Sequence, residues 1–177
     1  KGSIKVDLSF VYKCTKEILK YSKRKKIIVT KSTVPVGTGD DIEKILKRKK
    51  KLFTVISNPE FLREGEAIRD FRYPDRIVIG SNEKKIFNIM RKLYAPIINK
   101  GSKFFITSRR GAELIKYASN AFLATKITFI NELANLCEKS GVNIEDVSLG
   151  MGSDSRIGGR FLRAGPAYGG SCFPKDT

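Results

Sequence analysis

Four short apolar runs rich in β-branched and aromatic residues constrain the fold of the first two thirds of the chain more than any other feature. They span residues 27–30, 53–56, 76–80 and 104–106. Segments with helical spacing or turn residues separate each run from the next. Because strands that alternate with helices form parallel sheets covered by helices, we expect an α/β doubly wound layer.

The segments between the runs carry helix signals. Asp7 is placed as an N-cap, and apolar residues recur at helical spacing behind it, which predicts a helix over 8–24. The turn-rich segment 31–37 leads at once into a second predicted helix that contains Ile42, Ile45 and Leu46. A third helix is predicted over 84–98.

After Ser108 the pattern is helical alone. Residues 112–139 keep a helical period with no proline or glycine, which predicts a rod of about 40 Å. Gly141 is a suitable stop, and a short helix is expected over 144–151. We therefore expect an α/β part over 1–107 and a helical part over 108–177 that ends in a glycine-rich loop. A helix of this length could join two domains, pack against a second copy of the chain, or both.

Composition excludes several classes of protein. The chain has no long uncharged apolar run and no secretory leader at its start, so we expect a cytoplasmic protein that does not enter a membrane. Cys14, Cys137 and Cys172 are odd in number and widely spaced, which favours free thiols over disulfides or a zinc site. Because the chain contains no histidine, serine–histidine and cysteine–histidine catalysis are excluded.

The net charge of +17 raises the question of nucleic-acid binding. The densest basic runs, 23–26 and 47–51, each follow a predicted helix, where cations favour the helix dipole and remain solvated. We therefore expect no nucleic-acid partner; an anionic small substrate or a lysine-rich composition explains the surplus charge.

The segment GGSCFPKD at 169–176 presents a cysteine in a turn-rich context. Glycines permit close backbone approach, and a neighbouring cation lowers the pKa of a thiol and raises its thiolate fraction. Cys172 is therefore a candidate nucleophile. The alternative is that Cys172 is a small apolar residue in a turn.

Three further segments share an explanation with this loop: STVPVG at 32–37, NPEFLREG at 58–65 and ELIKYASNAFLA at 113–124. The first two follow predicted strands, where open α/β sheets bind ligands, and Lys116 and Asn120 share one helix face. In their order and amino-acid sequence the four segments resemble the UDP-glucose 6-dehydrogenases of the UDP-glucose/GDP-mannose dehydrogenase family. The resemblance covers essentially the whole chain. It implies that 1–107 is the second part of a Rossmann-like NAD-binding domain and that 108–177 is the central helical and dimerisation domain with the cysteine loop.

This resemblance implies a two-step oxidation of UDP-glucose to UDP-glucuronate that uses NAD twice. It makes Cys172 the nucleophile that forms a thiohemiacetal and then a thioester, and Lys116 the cation that stabilises oxyanions, with help from Asn120. It makes Glu60 the base that activates water, which Thr33 and Asp176 position. Without the resemblance, Lys116 and Glu60 would be interpreted as solvated surface residues.

The same resemblance assigns the ligand contacts. Those to the cofactor fall on Ser32, Thr33, Val34, Glu64, Cys172 and Lys175. Those to the substrate fall on Glu60, Phe61, Leu62, Lys116, Asn120, Arg156, Phe161, Arg163, Tyr168 and Gly169. The expected partner is a second copy of the chain, paired through the central helix, and no metal is expected.

The sequence departs from the family in two respects. Ala167 stands where relatives have glycine, which restricts the substrate loop if that position needs a positive φ. No Gly-x-Gly-x-x-Gly turn is present to hold the pyrophosphate of NAD, and the chain stops before a UDP-binding domain. We therefore expect a middle piece of a dehydrogenase that is inactive alone. The alternatives are a non-catalytic remnant of a split gene and an enzyme for another sugar nucleotide such as GDP-mannose.

Overall fold

A computed structural model describes residues 6–166 of the chain. The chain divides into two compact units between Lys116 and Tyr117. Within the described residues, no helix is long and apolar enough to cross a membrane.

The first unit contains a four-stranded sheet with helices between the strands. Its strands are β1 (Lys26–Thr30), β2 (Phe53–Ser57), β3 (Arg76–Gly80) and β4 (Lys103–Thr107). Its helices are α1 (Ser9–Tyr21), α2 (Thr38–Ile45), α3 (Ala67–Arg72), α4 (Lys84–Leu93) and α5 (Ala95–Ile98), and a 3₁₀ helix (Leu46–Leu52) follows α2. All four predicted strands are confirmed, as is the α/β class.

The sheet order is β1-β2-β3-β4, and its pairing is mixed. β1 pairs with β2 and β3 with β4 in parallel, but β2 and β3 are antiparallel and join only at Ser57 and Gly80. The prediction of a parallel sheet is therefore confirmed for the β1–β2 and β3–β4 pairs and is wrong for the β2–β3 junction. Strand propensity predicts where a strand lies but not the direction of its neighbour. Here only the last residues of the two strands pair, so their relative direction could not be predicted from the sequence.

Two apolar clusters cover the two faces of the sheet. Phe53 and Val55 of β2 pack with α2 on one face. Ile56 points to the other face and packs with β3 and α4. Side chains alternate along a strand, so one central strand supplies both clusters.

The helix boundaries differ from the prediction in three places. The first helix begins at Ser9, whose N–H donates to Asp7 Oδ1 at 2.8 Å, but it ends at Tyr21, before the basic run. The predicted helix 84–98 breaks at Tyr94, ahead of Pro96, because proline suits only the first turn of a new helix. The basic run 47–51 follows α2 as predicted, but its residues lie in the 3₁₀ segment, whose backbone is kinked at Lys49.

Helix α6 (Arg109–Ser140) begins in the first unit and continues into the second, and α7 (Ile144–Gly152) follows it. The predicted rod is confirmed, and it ends at Gly141, whose φ of 67° is left-handed. In the second unit, Lys126 Nζ donates to the carbonyls of Ile157 and Gly158 at 3.0 and 3.2 Å. This contact fastens the segment after α7 to α6.

Candidate active site

The first two motifs follow β1 and β2 at the same edge of the sheet. The N–H of Asn58 donates to Thr30 O at 2.9 Å, and the N–H of Glu60 donates to Lys31 O at 3.3 Å. The parallel register of β1 and β2 thus continues one residue beyond the strands and places the two loops side by side. This is the edge at which open α/β sheets bind ligands.

A lysine and a glutamate meet beside these loops. Lys116 lies on α6 and is 4% exposed, and its Nζ is 3.7 Å from Glu60 Oε1. The other oxygen of Glu60 accepts the N–H of Leu62 at 2.6 Å. Because a buried ammonium needs a partner, the carboxylate compensates part of the cost of burying Lys116.

Phe61 completes this group. Lys116 Nζ lies 5.3 Å from the centre of its ring, and the Arg76 guanidinium lies 4.1 Å from the same centre. Cations favour the face of an aromatic ring, so both contacts hold the ring in place. Lys116, Glu60, Phe61 and Leu62 therefore form one cluster, hereafter the Lys116 cluster.

Asn58, at the start of the 58–65 motif, is buried and hydrogen-bonded to neighbouring elements. This residue is 2% exposed, and its amide donates to Val78 O at 3.0 Å. Its Oδ1 accepts from Lys31 Nζ at 3.2 Å and from Tyr94 Oη at 2.5 Å. The partial burial of the Lys31 ammonium lowers its pKa, an effect that the Glu60 carboxylate opposes, and burial raises the pKa of Tyr94.

Glu113 is a buried carboxylate that binds the start of α2. It is 3% exposed and accepts the N–H of Gly37 at 2.7 Å, the N–H of Gly39 at 2.8 Å and the hydroxyl of Ser57 at 3.3 Å. A helix N-terminus attracts anions, and Glu113 occupies that position here. Gly37 has a φ of 99°, which favours glycine, and a Cβ on Gly39 would lie 3.0 Å from Glu113 Oε1.

Arg109 makes a second connection between α6 and α2. Its buried guanidinium donates from Nη2 to Asp40 Oδ1 and Glu43 Oε2, both at 2.6 Å. Hydrogen bonds from Arg110 and Arg109 lower the pKa of Asp40 below its ordinary value. The first turn of α6 is thus fixed to the helix that follows the 32–37 motif, and Lys116 stands on the second turn.

The predicted cofactor residues occupy the same edge. Ser32 is exposed, Thr33 is half-buried and Val34 is 4% exposed, and all three lie between β1 and α2. Glu64 lies in the exposed segment after β2. Asn120 is buried one helical turn after Lys116, on the part of α6 that belongs to the second unit.

The other predicted substrate residues of the second unit lie in the segment after α7. The Arg156 side chain is 86% exposed and donates from Nη2 to Asp154 Oδ2 at 2.6 Å. Phe161 has a φ of 66°, a strained conformation for a residue other than glycine, and Arg163 is exposed. Further predicted residues lie outside the described part: Tyr168, Gly169, Cys172, Lys175 and Asp176.

Glu113 and Arg109 were missed by sequence reasoning. They could have been predicted from the helical face that Lys116 and Asn120 share. Extended backward at three- and four-residue steps, this face passes through Glu113, Ala112 and Arg109, and all five residues are buried.

Family models match both parts of the chain. The NAD binding domain of the UDP-glucose/GDP-mannose dehydrogenase family matches residues 1–98, and the central domain of the same family matches residues 110–177. The chain belongs to this family. The first match alone covers more than half of the chain.

Similar members of the family include UDP-glucose 6-dehydrogenases of two bacteria. The protein of Rhizobium meliloti is 55% identical over 181 residues, which cover 100% of this chain and 41% of the relative. That of Pseudomonas aeruginosa is 52% identical and covers 97% of this chain and 39% of the relative. The chain thus spans about two fifths of the length of these relatives.

Two solved structures of family members are also similar. A UDP-glucose dehydrogenase from Pyrobaculum islandicum superposes with a TM-score of 0.89 at 40% identity, over 96% of this chain and 40% of the other. A GDP-mannose dehydrogenase from Pseudomonas aeruginosa superposes with a TM-score of 0.80 at 30% identity, over 99% and 42%. No group of three or more residues able to hold a metal ion occurs in the part of the chain that the structure describes.

Proposed function

We propose that the protein containing this chain is an NAD-dependent dehydrogenase that oxidises the C6 alcohol of UDP-glucose to the carboxylate of UDP-glucuronate. The observation that carries the proposal is the Lys116 cluster, in which a buried ammonium lies 3.7 Å from a carboxylate at the ligand-binding edge of the sheet. The membership of the family and the similarity to UDP-glucose 6-dehydrogenases support the choice of reaction.

The residues at the end of β1 fit the nicotinamide end of NAD. Ser32 offers an exposed hydroxyl beside Thr33, at the edge where dinucleotides bind. The amides at the start of α2 are already bonded to Glu113, so they do not hold the pyrophosphate. When bound, NAD accepts a hydride in each of the two oxidations.

The chain supplies the remaining chemistry. Lys116 would stabilise the alkoxide in each step, because its ammonium is held in a buried site by Glu60 and Phe61. Cys172 would attack the aldehyde carbon as a thiolate and hold the acyl group as a thioester after the second oxidation. Glu60 would then take a proton from the water that releases the product, with Thr33 and Asp176 holding this water and Asn120 sharing the role of Lys116.

The test is NADH formation by the full-length protein with UDP-glucose, GDP-mannose and a UDP-N-acetylhexosamine in parallel. We expect UDP-glucose to give the largest kcat/KM. Preference for GDP-mannose would instead assign the protein to the alternative sugar nucleotide, and no oxidation of any of the three would favour a non-catalytic remnant.

Variants separate the roles of the site residues. Cys172→Ala should abolish uronate formation, and Lys116→Met should lower kcat by a factor on the order of 10² or more, as removal of an oxyanion donor does. Glu60→Gln should slow the hydrolytic step most, so a burst of NADH would precede a slow steady rate. The loss of the carboxylate beside Lys116 should slow both oxidations to a smaller extent. Glu66→Gln is the matched control, since Glu66 is an exposed glutamate of the same loop that pairs with Arg69. Wild-type rates for Cys172→Ala would refute the nucleophile assignment.

We also propose a homodimer formed through α6. On the part of this helix that belongs to the second unit, Phe122, Phe129 and Leu136 stand seven residues apart and are 64%, 51% and 57% exposed. Apolar residues at this spacing form the seam by which helices pair. Sedimentation of the full-length protein should give a dimer that Phe129→Asp weakens and Asn135→Asp, at an exposed polar position, does not.

The remaining assignments extend this proposal. They are the contacts of Val34, Glu64, Cys172 and Lys175 with the cofactor, and of Leu62, Arg156, Phe161, Arg163, Tyr168 and Gly169 with the substrate. A cytoplasmic location and a role in polysaccharide biosynthesis belong here too. The reduced thiols of Cys14 and Cys137 are consistent with a reducing compartment.

A further inference from the structure

The two basic runs of the sequence, which the proposed reaction does not use, lie side by side in the fold. Lys49 of the 3₁₀ helix donates from Nζ to Leu19 O at 2.9 Å and to Ser22 O at 3.5 Å, at the end of α1. The strand register begins with Lys26 opposite Phe53, so the residues that precede β1 and β2 are also neighbours. The runs therefore form one surface, hereafter the basic face, whose exposed cations are Lys20, Lys23, Arg24, Lys25, Lys26, Lys47, Arg48 and Lys51.

The two basic runs and the segments that flank them contain no carboxylate. The sequence contains no aspartate or glutamate between Glu17 and Asp40, and none between Glu43 and Glu60. Within residues 6–166, the ion pairs of the structure involve none of the eight cations. Lys49 has a structural role, because its ammonium binds carbonyls at the end of α1. The eight exposed cations repel one another. Lys20 also lies over the ring of Tyr21, with its Nζ 5.1 Å from the ring centre.

The basic face lies at the opposite end of the strands from the candidate active site. Its residues precede β1 and β2, whereas the Lys116 cluster and the 32–37 motif belong to the carboxyl ends of the same strands. Five residues of strand span about 16 Å, which is longer than the Debye length at physiological salt. The basic face therefore contributes little to the binding of substrate or cofactor.

We propose that the basic face binds the surface of an anionic lipid bilayer. Clusters of four to eight lysines and arginines attract acidic headgroups, and six of the eight cations are lysines, which act as point charges and need no paired geometry. Tyr21, which is 70% exposed and lies between Lys20 and Lys23, is the amphipathic residue expected at a membrane–water interface. A single-stranded nucleic acid would need a row of aromatic side chains, but the two basic runs and the segment that joins α1 to β1 contain none, and Tyr21 is the last residue of α1.

The experiment is co-sedimentation of the full-length protein with vesicles of phosphatidylcholine, alone or with about one third phosphatidylglycerol. The test variant carries Lys23→Gln, Lys25→Gln, Lys47→Gln and Lys51→Gln. The control variant changes four exposed lysines elsewhere to glutamine, so its net charge is the same: Lys84, Lys92, Lys103 and Lys139.

We expect the wild-type protein to bind the anionic vesicles, to bind the neutral ones weakly, and to dissociate when salt rises to about 0.5 M. Each charge is worth roughly fivefold in partition coefficient, which corresponds to ~1 kcal/mol. The test variant, which lacks four charges, should therefore lose about 600-fold in partition coefficient, and the control variant less than about fivefold. Equal losses in the two variants would show that net charge alone attracts the protein, and would overturn the proposal.

Two further measurements complete the test. A labelled single-stranded RNA that binds the wild-type protein more tightly than the anionic vesicles do, and loses binding in the test variant, would make the partner a nucleic acid and also overturn the proposal. NADH formation by the test variant should match that of the wild-type protein, because the basic face lies away from the active site. Vesicle binding does not depend on catalysis. The result can therefore be interpreted even if the dehydrogenase proposal fails.

Discussion

Glu113→Ala should destabilise the first unit more than any other single truncation on α6. The change leaves the N–H groups of Gly37 and Gly39 without their acceptor at a buried helix start, and it removes the acceptor of the Ser57 hydroxyl. A buried donor left unpaired costs ~1–3 kcal/mol, so two backbone donors together give about 3–5 kcal/mol after partial relaxation. The native stability of a domain is only about 5–15 kcal/mol, so this loss is a large share of it.

The assay is urea unfolding followed by far-ultraviolet circular dichroism, because the chain has no tryptophan for fluorescence. Glu113→Gln provides a milder step of ~2 kcal/mol, since the amide keeps one acceptor but turns N–H groups toward one of the two donors. Glu132→Gln, at an exposed glutamate of the same helix, is the matched control and should change the free energy of unfolding by less than about 0.5 kcal/mol.

A loss below about 1 kcal/mol for Glu113→Ala would refute the reasoning. It would mean that water reaches the start of α2 and replaces the carboxylate, so that α6 is not fixed to α2 at this point. If the alanine variant fails to fold, the glutamine variant still measures the same contact.

Two further predictions concern the first unit. Arg110 and Arg109 lower the pKa of Asp40 in the folded protein. The Asp40 carboxylate therefore stabilises the fold fully above about pH 4, and this stabilisation is lost as the pH falls through the lowered pKa. In urea unfolding at pH 7 and pH 3, Asp40→Asn should lose less stability on acidification than the wild-type protein does. Gly80→Ala should cost ~3 kcal/mol or more in thermal unfolding, because the added Cβ would lie 2.6 Å from Ala112 Cβ. The control is Gly150→Ala, which should be neutral or stabilising because nothing lies within 4 Å of the added Cβ. Equal effects at the two glycines would contradict the close approach of α6 to β3.

Local chemistry made most elements of the fold predictable. All four strands were found from runs of β-branched and aromatic residues, and α6 was found from a helical period without proline or glycine. The break at Tyr94 was missed because apolar spacing continues through it, although Pro96 was a usable signal. The sheet direction between β2 and β3 depends on one residue pair, and no periodicity in either strand encodes it.

The candidate site also has features that the sequence determines and features that depend on the tertiary structure. The sequence by itself determined the four motifs, their placement at strand ends and on one helix face, and the resemblance that assigns their chemistry, because residue type and spacing are local properties. Only the tertiary structure decided that Lys116 meets Glu60, that Glu113 holds the start of α2, and that the two basic runs become neighbours. Each of these contacts joins residues at least 27 positions apart, and such distances are set by how strands pair and helices pack.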